Sequence, residues 1–156
     1  MCDYSLMAVP NRLAVSGEDL IIHRFAEGAI GLASPFDIQA RKECRKTQGL
    51  WMRLKEFFKQ DEKIPAVFSP PGARLIVRDI PRDLQRTFGL RNDMEEAIFT
   101  QQTATEDDYR DAFRFNNGTE VLLQRLAEGQ RVRILNVSSS EDRETQPDHR
   151  LAMRMA

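Results

Sequence analysis

Cysteine is nearly absent from this 156-residue chain: Cys2 and Cys44 are the only two, and they lie far apart. That spacing makes neither a disulfide framework nor a zinc motif, and it suits a cytoplasmic protein with reduced thiols. Aromatic residues are few, 8% of the chain, with a single tryptophan at Trp51. No stretch approaches the roughly 18 apolar residues a membrane-spanning helix needs. The opening M-C-D-Y-S-L-M-A-V-P-N-R lacks the cationic start and apolar run of a secretory signal. Neither G-x-x-x-x-G-K-[ST] nor G-x-G-x-x-G occurs, which removes the usual ATP and dinucleotide sites. His23 and His149 are the only histidines, and no H-x-x-x-H or C-x-x-C spacing is present, so no metal and no cofactor are expected.

Lysine is also scarce and unevenly placed. All five lysines fall between Lys42 and Lys63, against eighteen arginines spread along the chain. Residues 41–63 carry eight bases and four acids, whereas residues 64–100 carry five of each. The chain as a whole has a formal net charge of −1, which implies no polyanionic partner.

The basic region is also the most amphipathic. Leu50, Trp51, Leu54, Phe57 and Phe58 recur at offsets that stack them on one stripe of an α-helix. Arg53, Lys55, Glu56, Lys59 and Gln60 take the other side. A helix over 47–60 is therefore expected, preceded by a charged stretch from 36 and ended by Ile64-Pro65.

Around it the chain reads as short strands. Arg12 to Ser16 and Asp19 to Phe25 are joined at Gly17, and Ala29 to Ala33 follows as a plausible meander. Ala66 to Ser69 and Arg74 to Ile80 flank Pro70-Pro71-Gly72 and are expected to pair as a hairpin. Pro81 opens a short helix that Gly89 stops. Glu96 to Thr103 and Arg131 to Val137 alternate as strands, while Thr105 to Phe113 and Thr119 to Glu128 read as short helices. The expected fold class is α+β: a small, mainly antiparallel sheet or partly open barrel, with one longer amphipathic helix and two or three short ones. Residues 1–137 would form the domain and 138–156 a polar, partner-ordered or mobile tail.

Two functional classes follow. If Met1 were removed, Cys2 would become an N-terminal cysteine whose α-amino group can serve as base, and His23 is the alternative partner for its thiol. That is the logic of a small thiol-dependent hydrolase. The second class is an interaction or accessory module. Aromatic anchors Trp51, Phe57 and Phe58, with Leu54, inside the charged rim of Arg53, Lys55 and Lys59 have the composition of a protein interface. Glu43, Glu56, Asp61 and Glu62 within the same stretch argue against nucleic acid. The expected partner is a protein, either a different subunit or a second copy, and the module reading is preferred to the hydrolase. The opening M-C-D-Y-S-L and the stretch A-V-F-S-P-P-G-A-R-L, Ala66 to Leu75, resemble segments of a group of small bacterial proteins, and that resemblance implies no activity.

The tail from Ser138 lacks a regular apolar face, so deleting residues 138–156 is expected to leave the thermal unfolding midpoint nearly unchanged. A drop of many degrees would show that the tail belongs to the core.

Overall fold

Alternation of apolar residues dictates the architecture. Leu20 and Ile22, Leu75 and Val77, Ala97 and Phe99, Phe113 and Phe115, and Val132 and Ile134 each sit two apart, and all are buried. A period of two puts such residues on one face of a β-strand. The residues between them, among them Ile21, Ile76, Ile98, Arg114 and Arg133, are half-buried or exposed.

The computed structural model describes residues 9–25, 28–47, 64–102 and 110–137. In chain order its elements are β1 (Asn11–Leu13), β2 (Asp19–Arg24), β3 (Ile30–Ala33), α1 (Pro35–Thr47), β4 (Ala66–Phe68) and β5 (Arg74–Val77). There follow α2 (Arg82–Phe88), β6 (Glu95–Gln101), β7 (Asp111–Phe115), β8 (Glu120–Leu122), a 3-10 turn (Leu123–Arg125) and β9 (Arg131–Asn136). The strands form one nine-stranded sheet in the order β1-β4-β3-β2-β9-β5-β6-β7-β8. Every pairing is antiparallel except β1 with β4, which makes the sheet mixed.

The last strand, β9, is inserted in the middle. On one side its Val132 lies opposite Leu20 of β2, and on the other it lies opposite Val77 of β5. The β1-β4-β3-β2 half and the β5-β6-β7-β8 half therefore meet only through β9 in the hydrogen-bonded order. A single buried cluster takes Leu20, Ile22, Leu32, Phe99, Val121 and Ile134 from strands across the whole sheet. Only a sheet that curls around that cluster can supply all of them from one face. Consistent with the curl, the 3-10 turn after β8 returns to pack on β3.

A second cluster covers the outer face of the first half. Phe25, Ala29, Ala33 and Ala66 are joined there by Ile38 of α1. With apolar residues on both sides, β3 is buried throughout. Pro35 suits the first position of α1, where a backbone donor would be unsatisfied anyway, and Asp37 complements the positive end of the helix dipole. α2 ends at Gly89, whose φ of 65° is the left-handed conformation that glycine tolerates best.

The expectation of an α+β fold with one longer amphipathic helix and two or three short ones is overturned. The described elements are mostly strands, nine against two α-helices. The helix expected over 47–60 falls mainly on residues 48–63, outside the described residues, and the longer described helix is α1, Pro35–Thr47.

One expected short helix is replaced, and so is the end of another, whose residues 105–109 lie outside the described residues. Thr119 to Glu128 becomes β8 and a 3-10 turn, because Gly118 closes a hairpin in which the Phe115 N–H donates to the Thr119 carbonyl. That pairing buries Val121 and Leu123 in the core, and packing overrides a leucine spacing that suited a helix as well. Asp111 to Phe115 is a strand for the same reason, with Phe113 and Phe115 inward and Arg114 outward.

The hairpin expected across Pro70-Pro71-Gly72 does not form. The turn exists, yet β4 pairs with β1 and β3 while β5 pairs with β6 and β9, so the turn carries the chain between halves of the sheet. Likewise β1 and β2, expected as a hairpin, take different neighbours, although β2 and β3 do pair.

Ile134 is fully buried on the seam strand, so Ile134→Ala should cost about 2–5 kcal/mol in urea unfolding. Arg133→Ala, one residue away on the outer face, removes only a partly exposed ion pair with Asp19 and should cost less than about 1 kcal/mol. Equal losses would show that β9 is not held by its inner face.

Candidate functional site

Most residues singled out from the sequence fall outside the described residues: Cys2, and the stripe and rim of Trp51, Leu54, Phe57, Phe58, Arg53, Lys55 and Lys59. His23 is described. It sits on β2 with its ring edge-on to Phe25, at 5.0 Å between centroids. Burial holds its pKa below the ordinary value of 6.5; Glu128 opposes the shift, and Lys42 and Arg41 of α1 add to it. The imidazole is thus half-buried against phenylalanine with its neutral form favoured, and its expected thiol partner, Cys2, lies outside the described residues. Among the described residues no group of three or more His, Cys, Asp and Glu could hold a metal ion, and no helix is long and apolar enough to cross a membrane.

The described arginines divide sharply. Arg12, Arg24, Arg74, Arg114, Arg131 and Arg133 each close an ion pair. Around β5 and α2 three of the acids, Asp79, Glu95 and Glu96, are occupied elsewhere. Asp79 is gripped by Arg131 of β9, through Nε at 2.5 Å and Nη2 at 2.8 Å. Glu96 pairs with Arg74. Glu95 turns back to accept hydrogen bonds from the backbone N–H groups of Arg91 and Asn92 and from the Asn92 side chain. Arg78, Arg82, Arg86 and Arg91 are left without an ion pair among the described residues, and the Nε of Arg78 is buried with no protein acceptor.

Two of these arginines belong to the lining of one depression. Arg82, at the start of α2, and Arg91, beyond its end, line an open hollow of about 530 Å³ with Asp79, Gln85, Asn92 and Asp93. Its frame is well tied. The Ile80 N–H donates to the Asp93 carbonyl, Gln85 Nε2 donates to the Ile80 carbonyl at 2.7 Å, and the Leu90 N–H donates to the Gln85 carbonyl. Asp79 is the one non-glycine described residue at positive φ, 57°, a conformation that aspartate tolerates better than most. The bend lets its carboxylate meet Arg131, which holds the Asp79 pKa below the usual carboxylate range. A smaller hollow of about 300 Å³, which shares Arg91 and Asn92 with the first, lies between Leu90 to Asn92 and Asn116 to Asn117. There Asn117 Nδ2 donates to the carbonyls of Phe88 and Gly89, fastening the end of α2 to the β7–β8 hairpin.

Sequence reasoning missed this arginine group, because five bases and five acids between 64 and 100 look balanced. The available signal was the spacing of Arg78, Arg82 and Arg86 four residues apart; what it lacked was the knowledge that Arg131, fifty-two residues on, takes Asp79 out of the balance. Compared with protein-family models, curated proteins and solved structures, the chain matches none.

The His23 environment has a pH consequence. Its folded-state pKa is depressed, so the unfolded chain binds the proton more readily; the associated stability is present above about pH 6.5 and is lost as pH falls through the lower folded-state value. Between about pH 7.5 and pH 5 the wild type should lose more thermal stability than His23→Gln. Parallel losses would show that His23 does not titrate against folding.

Proposed function

We propose that the protein is a small interaction module that binds another protein through the side of the fold formed by β1, β4 and α1 together with the stripe Trp51, Leu54, Phe57 and Phe58. The observation that supports this is the apolar surface left uncovered there. Leu13 is 71% exposed, Val15 62% and Phe36 78%. Leu13 ends the edge strand β1 and lies opposite Phe68 of β4; Phe36 lies in the first turn of α1. Asp37, next to Phe36, adds to the charge that holds the Arg12 guanidinium protonated, so the start of α1 and strand β1 lie within electrostatic reach.

In sequence, residues 48–63, which carry the stripe, connect α1 to β4. Stripe and exposed residues are thus tethered to the same half of the sheet. Covering such side chains removes apolar area from water at about 25 cal/mol per Å², and a partner protein can supply the cover. Arg53, Lys55 and Lys59 would form the polar rim that sets orientation. The edge itself is guarded against indiscriminate strand pairing: β1 has three residues, and the Arg12–Glu18 ion pair with the Val15 N–H to Glu18 hydrogen bond folds over its end.

Native mass measurement on protein isolated under mild conditions is expected to show an assembly larger than one chain, with a second copy or a different subunit as partner. Trp51→Ala should weaken that assembly by tenfold or more while leaving the unfolding midpoint within a few degrees, as for an aromatic anchor residue. A wild type that is monomeric from the start, together with an unfolded Trp51→Ala variant, would place the stripe in the core and remove the reading.

A further inference from the structure

We propose that the hollow between Arg82 and Arg91 is a binding site for a phosphoryl group, carried either as inorganic phosphate or as a small phosphate monoester. This is independent of the partner contact proposed above, which lies on the other half of the sheet. The first argument is electrostatic. Arg82 and Arg91 line the same hollow, neither has an ion pair among the described residues, and of the two carboxylates in the wall Asp79 is already neutralised by Arg131. Within the lining, two arginines therefore stand against Asp93, with Asp83 beside Arg82 outside it. Arginine keeps its proton throughout the physiological range, so an anion entering the hollow meets a standing positive charge.

The second argument is geometric. A planar carboxylate is satisfied by one guanidinium fork, as Asp79 is by Arg131. A tetrahedral phosphoryl group presents three oxygens in different directions and suits forks arriving from separate elements. Arg82 comes from the start of α2 and Arg91 from the loop after it, with Asn92 beside Arg91 as a neutral donor.

The third argument is rigidity. Glu95 fixes the backbone of Arg91 and Asn92, and Asn117 fixes the end of α2, so the two walls are set before a ligand arrives. At about 530 Å³ the hollow exceeds one phosphate ion, leaving room for the organic part of a monoester beside Gln85 and Asp93.

The test is titration of the full chain with inorganic phosphate, with glycerol 3-phosphate and with acetate, at ionic strength held constant with potassium chloride. Affinity is followed by calorimetry and the location by backbone amide NMR shifts. Saturable binding of either phosphate compound, with the largest shifts at Arg91, Asn92 and the start of α2, is expected. Preference between the two compounds tells whether the free ion or the ester is the ligand. Arg82→Ala with Arg91→Ala should weaken binding about tenfold or more, the scale of a lost charge-assisted contact. Arg125→Ala, at an exposed and unpaired arginine elsewhere, should leave it unchanged. Acetate binding as tight as phosphate, no saturation, or wild-type shifts centred away from Arg91 would overturn the proposal. The wild-type shift map decides the matter even if the double variant fails to fold.

Discussion

Everything in this fold depends on β9 finding its place between β2 and β5. The strand is the last in sequence and the central one in space, so its pairings join residues more than fifty positions apart on the β5 side and more than a hundred on the β2 side. Loop closure over such distances costs entropy before any contact offsets it. The offset comes from both faces of the strand. Val132 and Ile134 enter the core, while Arg131 reaches Asp79 beyond β5 and Arg133 reaches Asp19 on β2. Two arginines two residues apart therefore brace the seam in opposite directions. Exposed ion pairs add little free energy. Their use is in register, since slipping β9 by one residue would bury both guanidiniums and expose Val132 and Ile134.

The same device explains why charge is unevenly distributed over the surface. Elsewhere on the sheet, cross-strand neighbours of opposite sign are matched, Arg74 with Glu96 and Arg114 with Glu120. When Arg131 takes Asp79 from outside the β5–β6 segment, that segment loses an acid without losing a base. The surplus positive charge around α2 is thus a consequence of the seam. With Glu95 spent on holding the loop's own shape and Asp79 on holding a distant strand, the acids left to face the loop's arginines are Asp83 and Asp93, fewer than the bases.

Strand positions were readable from the sequence where alternation was clean. Glu96 to Thr103, Arg131 to Val137 and Ala29 to Ala33 lie within a residue or two of β6, β9 and β3, and the Pro81 to Gly89 helix was bounded by its own punctuation. Partners were not readable, because alternation states that a strand has an inner face and not which strand lies beside it. Pro70-Pro71-Gly72 signals a turn in either topology, and only the core decides that β4 belongs with β1 and β3. The leucines at 122, 123 and 126 fit three-to-four spacing as well as a strand running into a 3-10 turn, so local pattern was neutral and the β7 pairing decided. Of the candidate residues, His23 could be placed on a strand from sequence, but the burial and the neighbouring bases that keep its ring neutral are tertiary facts.

Both proposed surfaces draw on helices that lie, in sequence, between strands, α1 between β3 and β4 and α2 between β5 and β6. Each helix belongs to a different half, and the halves are hydrogen-bonded to each other only through β9. Displacing Arg131 from Asp79 would therefore act on the rim of the arginine hollow and on the seam at once, since the carboxylate it would release lines that hollow. An anion in the hollow competes with that carboxylate for positive charge, whereas the backbone bond from the Arg78 N–H to the Arg131 carbonyl keeps the strands together regardless. The ion pair is thus the adjustable element and the backbone ladder the fixed one, which allows a charged ligand to be accommodated at the edge of β5 without opening the core beneath it.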